Sequence, residues 1–292
     1  GFTTDRMLHT HPCKTDANLW ECYEAGVNWF VFDNPIEAEK IRRLTPDVNL
    51  LLRLATTGAS SRINLSAKFG CPMHEALELL ATAKAKGLKI RGFSFHVGSQ
   101  CLNPQDYVEV LRSVRAVWDE ATQAGHHLEV LDIGGGFPAP YREDAPSIET
   151  FGEVITNGLR DIFGDLPIRL IAEPGRGLCT ESVTLITRVI GKSRRWELPW
   201  FFLDDGIYGS FSGKIFDHTD FPLLVENDGS RETVPCVVAG PTCDSTDIVS
   251  RDQWLPDLEV GELVLVPSMG AYAAASASPF NGLPMANSIA ID

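Results

Sequence analysis

Long apolar runs are missing from this sequence of 292 residues, and so is a positively charged start followed by an apolar stretch. The first absence argues against a membrane-spanning helix, which needs about 20 consecutive apolar residues. The second gives no sign of a secretory signal. We therefore expect a cytoplasmic protein that does not bind a membrane.

Basic residues are scarce relative to acidic ones, since 25 Lys and Arg face 39 Asp and Glu and give a formal charge of −14. Nucleic-acid-binding proteins generally carry a basic patch, so this balance argues against that class. It suits a cationic small-molecule substrate. The seven cysteines are scattered and include no C-x-x-C pair, which argues against a disulfide framework and a zinc site. We expect reduced thiols and no bound metal.

Up to about residue 178 the sequence alternates short apolar runs with helical patterns. The runs predict six strands, at residues 7–10, 29–32, 49–54, 90–96, 128–133 and 168–172. The patterns between them predict helices at residues 16–24, 36–44, 73–86, 103–124 and 147–163. Strands separated by helices pair in parallel through right-handed crossovers. We therefore expect an α/β fold of the (β/α)8 barrel type, although six strands are two fewer than a closed barrel needs.

After residue 178 the pattern changes to shorter, β-branched runs with Gly, Pro and Asp turns between them. The runs lie at residues 182–190, 200–204, 233–239 and 262–267. They predict an antiparallel β-domain, either a sandwich or a small barrel. The expected organisation is thus a barrel domain over residues 1–178 and a β-domain over residues 179–292.

Three glycines, Gly134, Gly135 and Gly136, directly follow the apolar run that ends at residue 133. Glycine permits positive φ and lets main-chain N–H groups approach a ligand closely. Such a turn can cradle a phosphate. A tight turn without a ligand is the alternative interpretation.

Polar side chains also follow two of the other predicted strands. His96 ends the fourth strand and Ser99 follows it, while Glu173, Gly175 and Arg176 come after the sixth. A carboxylate can bond a protonated ring nitrogen, and an arginine beside a glycine can bind phosphate. A structural histidine and an internal Glu–Arg ion pair are the alternatives.

In the predicted β-domain, Cys243 lies in a loop rich in Gly and Pro, beside Asp244. Cysteine is usually a buried and inert residue. A turn beside an acid is a poor core position and a suitable active-site position. Asp217, next to a histidine, and Tyr272, next to small residues, are weaker signals of the same kind.

Taken together and in this order, these segments resemble the fold-type III pyridoxal-phosphate decarboxylases of basic amino acids, the ornithine/lysine/diaminopimelate decarboxylase family. The resemblance covers nearly the whole chain. It is carried by FHVGSQ at 95–100, DIGGGFP at 132–138, EPGR at 173–176, DDGIYGSF at 204–211, GPTCDSTD at 240–247, MGAY at 269–272 and FNG at 280–282.

The resemblance implies an enzyme that binds pyridoxal 5′-phosphate. The residues implied to hold the cofactor phosphate are Ser99, Gly135, Gly136, Gly175, Arg176 and Tyr272. His96 is implied to stack on the pyridine ring, and Glu173 to pair with the ring nitrogen. Arg53 lies where the family has an active-site arginine.

The resemblance also implies roles in the second domain. Cys243 would return a proton to the substrate carbon, and Asp217 and Asp244 would bind the distal ammonium of the substrate. In the family the Cys-Asp loop reaches into the partner subunit of a dimer. The Cys243-Asp244-Ser245 sequence is similar to the ornithine/lysine branch. Ornithine and lysine differ by one methylene, worth about 1–3 kcal/mol in a pocket, so both substrates stay open.

The family carries its Schiff-base lysine in a Tyr/Phe-Ala-Val-Lys-type segment, and no such segment is present here. Lys14 does not replace that lysine, because it lies in a sequence that resembles a later turn of the family. With six predicted strands, this leads to the hypothesis that about two βα units and the lysine lie on a separate N-terminal polypeptide. This chain alone would then expose strand edges and apolar surface. A catalytically inactive homologue that acts as a regulatory binding protein is the main alternative. A racemase of the same barrel type is a weaker one, because racemisation does not need the Cys-Asp loop.

Overall fold

The computed structural model describes residues 1–45, 47–58, 60–226 and 229–291. The chain divides into two compact units, of which unit 1 is Gly1–Pro138 with Pro146–Pro174, and unit 2 is Ala139–Ala145 with Gly175–Asp292. No helix in the described part of the chain is long and apolar enough to cross a membrane. The domain boundary expected after residue 178 stays a prediction.

Unit 1 is an α/β unit built on a parallel sheet. Its strands are β1 (Trp29–Phe32), β2 (Asn49–Arg53), β3 (Ser61–Ile63), β4 (Lys89–Ser94), β5 (Ser99–Cys101), β6 (Val130–Asp132) and β7 (Arg169–Ile171). Its helices are α1 (Asp16–Glu24), α2 (Pro35–Leu44), α3 (Ala76–Ala85), α4 (Gln105–Gln123) and α5 (Ile148–Phe163). The sheet order is β1-β2-β4-β6-β7 with every pair parallel, and β3 pairs with β5 in a small antiparallel ribbon. The predicted parallel α/β fold is confirmed.

Local signals fix the helix starts. Asn34 Oδ1 accepts hydrogen bonds from two main-chain N–H groups of the first turn of α2, and Pro35 occupies the first helical position. Ser147 Oγ caps α5 with one bond, which it accepts from the N–H of Thr150. Each such cap satisfies donors that the helix itself leaves unpaired. These ends were therefore readable in the sequence.

The sheet is buried on both faces. On one face, Phe30, Leu50 and Phe93 pack with apolar residues of the helices. On the other face, Val31 and Leu51 belong to a second, smaller apolar cluster. Burying each such side chain stabilises the fold by about 1.5–3 kcal/mol. This two-sided burial explains why the strands appear in the sequence as continuous apolar runs.

The two edges of the parallel sheet differ from the predicted strands. Residues 7–10 form only one bridge, between His9 and Phe30, because a 3-10 turn at Thr4–Arg6 precedes it and Pro12 follows it. At the other edge, Leu170 of β7 is 46% exposed, whereas all of β6 is buried. A closed eight-stranded barrel stays a prediction.

Unit 2 is mainly a β unit. Its elements are α6 (Arg176–Cys179), β8 (Leu185–Arg195), β9 (Leu198–Leu203), α7 (Gly213–Phe216), β10 (Leu224–Val225), β11 (Thr233–Ala239), β12 (Ile248–Pro256) and β13 (Leu263–Val266). The six strands form one sheet in the order β10-β13-β8-β9-β11-β12. Buried residues alternate with exposed ones along β8, so one face of this strand packs on the core.

The sheet of unit 2 is not wholly antiparallel, and that prediction was wrong at one pair. β9 and β11 run parallel, while the other neighbours are antiparallel. The segment 204–232 between them contains α7 and β10, and it is long enough for the return that a parallel pair needs. β12 was missed because Ser250, Arg251 and Asp252 interrupt its apolar pattern.

Candidate active site

The register of the parallel sheet lines up polar residues at the carboxyl ends of its strands. Arg53 pairs with Ser94, and Ser94 pairs with Asp132. Asp132 in turn pairs with Ile171, so Glu173, two residues further on, projects toward the same side as Asp132. Ligands of parallel α/β sheets bind at this end of the strands.

Glu173 is held at both its main chain and its side chain. Its N–H donates to Gly134 O at 2.8 Å. Its Oε2 accepts the hydroxyl hydrogen of Thr10 at an oxygen–oxygen distance of 3.0 Å. Thr10 follows the bridge at one edge of the sheet, and Glu173 follows β7 at the other edge. The sheet is therefore curled enough to bring its edge segments together.

The three-glycine loop follows β6 and packs closely against the main chain around it. Gly134 and Gly136 have φ values of +65° and +117°. A Cβ at Gly134 would lie 2.2 Å from Phe95 O, and one at Gly135 would lie 2.5 Å from Glu173 O. Close main-chain packing alone thus requires glycine here, as the tight-turn interpretation expected. Gly175 is different, because a Cβ there would meet nothing within 4 Å. Open space at that position leaves room for a ligand group.

His96 is a neutral ring beside this loop. Its Nδ1 accepts a hydrogen bond from the N–H of Gly98 at 2.9 Å. Burial, with a smaller effect of the Arg53 charge, lowers the pKa of His96 to about 4. An ideal Cβ on Gly135 would lie 3.1 Å from His96 Nε2. The ring is therefore uncharged at neutral pH and lies against the glycine loop.

Arg53 and Asp132 complete the polar group of unit 1. The Arg53 guanidinium lies over the ring of Phe69 at 5.3 Å. Burial lowers the pKa of Arg53, although the charges of Glu173, Asp33 and Asp132 oppose that shift. Ser99, the remaining candidate in this unit, lies half-buried on β5 opposite Ile63 of β3.

Lys14 is engaged inside unit 1. Its Nζ lies 2.9 Å from Glu37 Oε1 and donates to Val31 O at 2.7 Å. Burial lowers the pKa of Lys14, despite the bond to Glu37. These partners give Lys14 a structural role, in agreement with its poor match to a cofactor lysine.

In unit 2, the Arg176 side chain contacts three other side chains. Its Nη2 lies 2.7 Å from Asp217 Oδ2, and its Nη1 donates to Tyr141 Oη at 2.8 Å. The guanidinium carbon lies 4.7 Å from the ring centroid of Tyr272. Burial alone would lower the pKa of Arg176, but the bond to Asp217 and the Tyr141 contact outweigh it and raise that pKa.

Three candidates of unit 2, Arg176, Asp217 and Tyr272, are therefore brought together in one group. Tyr272 is half-exposed, and its φ of +51° lies in a region that side chains rarely adopt. Such strain persists where the surrounding structure fixes it, and it is frequent at ligand sites. Tyr141, the fourth member, was missed, because no feature of its sequence neighbourhood distinguishes it.

A second group of unit 2 holds the cysteine loop. Cys243 is exposed, and its main-chain N–H donates to Asn281 Oδ1 at 3.2 Å. Asp244 accepts a hydrogen bond from the Tyr208 hydroxyl, which lowers the pKa of Asp244. The Tyr208 ring stacks on Phe280 with centroids 4.2 Å apart. Three of the sequence segments, those around residues 208, 243 and 281, thus meet in space.

Asp247 joins these loops and was missed by sequence reasoning. It is 2% exposed, and its Oδ1 accepts from the N–H of Ile207 at 2.9 Å. Its Oδ2 accepts from the N–H of Thr242 at 3.0 Å and from the hydroxyl of Thr242 at 2.7 Å. The only signal in the sequence was its place in a segment already singled out for Cys243.

Asp217 and Asp244 belong to different groups in the described part of unit 2. Asp217 is bonded to Arg176, and Asp244 is bonded to Tyr208. The resemblance implies that both carboxylates bind the distal ammonium of the substrate, and this stays a prediction.

Residues 1–180 match the family described as pyridoxal-dependent decarboxylase, pyridoxal binding domain. The chain is 39% identical over 293 residues to the lysine/ornithine decarboxylase of Selenomonas ruminantium, and the match covers 99% of this chain and 73% of that protein. The structure matches that of lysine/ornithine decarboxylase complexed with cadaverine from Vibrio vulnificus with a TM-score of 0.88 and 41% identity, covering 97% of this chain and 73% of the other. It also matches the arginine decarboxylase of Paramecium bursaria Chlorella virus with a TM-score of 0.89 and 33% identity, covering 97% and 77% of the two chains.

Proposed function

This chain belongs to the family of pyridoxal-dependent amino-acid decarboxylases, and we propose that it converts L-ornithine or L-lysine into the corresponding diamine. The observation that carries the proposal is the Arg176 group, in which a buried arginine is held between an acid and two tyrosines beside open space at Gly175. The cofactor is pyridoxal 5′-phosphate. When bound, it supplies an electron sink for the electron pair that the departing CO2 leaves behind.

The phosphate is proposed to bind to the Ser99 side chain, the N–H groups of Gly135, Gly136 and Gly175, Arg176 and Tyr272. The residues present suit a phosphate dianion. Arg176 offers a guanidinium whose direction is fixed by Tyr141 and Asp217, and fixed donors bind an anion with little loss of entropy. Gly175 offers a main-chain N–H beside open space.

The pyridine ring is proposed to lie between His96 and Glu173, with Arg53 nearby. His96 is neutral, so it can stack on a protonated ring without charge repulsion. Glu173 is fixed through Thr10 and Gly134, and a fixed carboxylate keeps a proton on the ring nitrogen. These two residues orient the ring and hold its proton.

The substrate is proposed to be held by Asp217 and Asp244 through its distal ammonium group. Burying that cation without a carboxylate would be costly. Cys243 is proposed to return a proton to the α-carbon after CO2 leaves, a general-acid role that an exposed thiol on a fixed loop can perform. As in the family, the loop would serve the partner subunit of a homodimer.

The Schiff-base lysine is proposed to lie outside residues 1–292, on a segment that completes an eight-stranded barrel. Lys14 is already engaged by Glu37 and Val31. β7 is an exposed edge, and a groove of about 330 Å³ lies at the opposite edge, lined by Met7–His11 with Cys22 and Val27. An incoming strand and helix would cover such apolar edges.

Borohydride reduction of active material, followed by peptide mapping and intact mass, tests this arrangement. We expect the reduced cofactor on a lysine outside residues 1–292. A modified lysine within residues 1–292 would contradict the arrangement. Failure to bind any cofactor would contradict the enzymatic proposal itself.

A further inference from the structure

Asp132 is a buried acid to which the proposed function gives no role. It is fully buried, and its Oδ1 accepts the N–H of Gly134 at 2.9 Å. Its Oδ2 is buried, and no hydrogen-bond donor among the described residues reaches it. An ionised carboxylate can accept about four hydrogen bonds. A site that supplies so few suits a neutral carboxylic acid instead.

The charges of the groups that face Asp132 also favour a neutral carboxylic acid. Glu173 approaches it from the end of β7, and Arg53 from the end of β2. Arg53 is also within the influence of a third carboxyl, Asp33, and His96 beside it is neutral. One guanidinium therefore faces three carboxyl groups. Ionising all three beside one guanidinium would leave negative charge without a partner, and the charge on Asp132 would be buried.

Asp132 is the member of this set best placed to stay protonated. Glu173 is exposed and accepts a hydrogen bond from the Thr10 hydroxyl. Asp33 accepts hydrogen bonds from the N–H of Gly70 and from Asn34 Nδ2, both at 2.8 Å. Asp132 is more deeply buried than either, and it has fewer donors than Asp33. Ser94, its partner across the sheet, also has a buried hydroxyl without a hydrogen-bond partner among the described residues.

We propose that Asp132 is a neutral carboxylic acid that acts as a positioning residue for Glu173. The inference rests on the proposed function, in which Glu173 pairs with the cofactor ring nitrogen. A neutral Asp132 leaves the negative charge of the pair on Glu173, where the ring nitrogen meets it. The Asp132 hydroxyl projects toward the same side of the sheet as Glu173 and can donate to it, which holds the Glu173 carboxylate in the direction of the ring.

The acidity of Asp132 agrees with this role. Burial, and then the charge of Glu173, raise the pKa of Asp132 to about 8. The carboxyl is therefore protonated at neutral pH and becomes ionised only in mildly alkaline solution.

Infrared spectroscopy of the cofactor-free protein, assembled with its lysine-bearing segment, tests the protonation state directly. We expect a carbonyl band of a protonated carboxyl at pH 7 that fades as the pH rises through about 8 and is missing in Asp132→Asn. Asp106→Asn is the matched control, because Asp106 is also buried but accepts from Asn103 Nδ2 at 3.2 Å and from Ser60. This control should keep the band. Identical spectra for the unsubstituted chain and Asp132→Asn at pH 7 would overturn the proposal.

Binding of pyridoxamine 5′-phosphate tests the positioning role, because this amine needs no lysine partner. Asp132→Asn keeps a neutral donor and should bind within about threefold of the unsubstituted chain, whereas Asp132→Leu should bind at least about tenfold more weakly. Circular dichroism checks that both variants fold. Equal binding by all three proteins would overturn the positioning role. If the unsubstituted protein, assembled with its lysine-bearing segment, binds no pyridoxamine phosphate, the proposed function is contradicted, while the infrared band still decides the state of Asp132.

Discussion

Arg176 Nη2 lies 2.7 Å from Asp217 Oδ2, and both side chains are buried in unit 2. The two residues are far apart in sequence. Arg176 is a proposed phosphate ligand and Asp217 is a proposed substrate ligand. A buried ion pair is costly to break by removing one partner, because the other charge is left uncompensated. The pair therefore contributes to the fold as well as to the proposed site.

We predict that Asp217→Ala lowers the free energy of unfolding by about 3 kcal/mol, because Arg176 stays buried without its carboxylate. Urea denaturation measures the change. The matched control is Glu262→Ala, which removes the carboxylate from the half-exposed Arg231–Glu262 pair, where the loss should be about 1 kcal/mol or less. Equal losses in the two variants would show that burial of the Arg176 pair has no special effect.

Asp247→Ala should destabilise unit 2 by about 2–4 kcal/mol, since three hydrogen bonds to a buried carboxylate are lost together. Amide hydrogen exchange should also accelerate at Ile207 and Thr242, whose N–H groups lose their acceptor. Asp252→Ala is the control, because Asp252 is exposed and accepts, among the residues that the structure describes, only from Ser250. Unchanged exchange at both amides in Asp247→Ala would show that Asp247 does not hold the loops.

His96 predicts an acid-sensitive stability. Burial and the Arg53 charge lower its pKa to about 4. Between about pH 6.5 and pH 4, His96 is therefore protonated in the unfolded chain but not in the folded chain. Stability should fall as the pH is lowered through this window, by up to about 1.4 kcal/mol per pH unit.

The variant His96→Gln should have a shallower acid slope when unfolding is followed at several pH values. His127→Gln, a change at an exposed histidine, should keep the slope of the unsubstituted chain. If His96→Gln and His127→Gln have the same slope as the unsubstituted chain, His96 titrates normally in the folded state.

Cys243→Ala is predicted to slow diamine formation by about 100-fold or more in the assembled enzyme, because a positioned proton donor contributes about 10²–10⁴-fold. Binding of pyridoxamine 5′-phosphate should be unchanged, because Cys243 is not among the proposed cofactor ligands. Cys179→Ala serves as a control thiol in the same unit. An unchanged rate in Cys243→Ala would remove this thiol from the mechanism.

The sequence allowed the parallel α/β fold to be predicted because its signals are local. Asn34 with Pro35 and Ser147 mark helix starts, and strands buried on both faces leave continuous apolar runs. β12 escaped prediction because Ser250 to Asp252 are polar. The parallel pairing of β9 with β11 was not predicted either, because no local sequence pattern shows which strand lies beside another.

The candidate site was predicted less completely. The motifs gave Arg176, Glu173 and Cys243, since each lies in a distinctive segment. They did not give the Arg176–Asp217 bond, the Tyr141 contact or the Thr10–Glu173 bond, because these partners are distant in sequence. The burial of Asp132, which raises its pKa, also depends on residues from several strands.

Release of labelled CO2 from carboxyl-labelled ornithine, lysine and arginine tests the central claim most directly. The enzyme assembled with its lysine-bearing segment and pyridoxal phosphate should release CO2 from ornithine or lysine, and Glu173→Ala should lower the rate by at least about 100-fold. Ornithine or lysine should be preferred to arginine. No release from any of the three amino acids, with the cofactor bound, would contradict the proposed function.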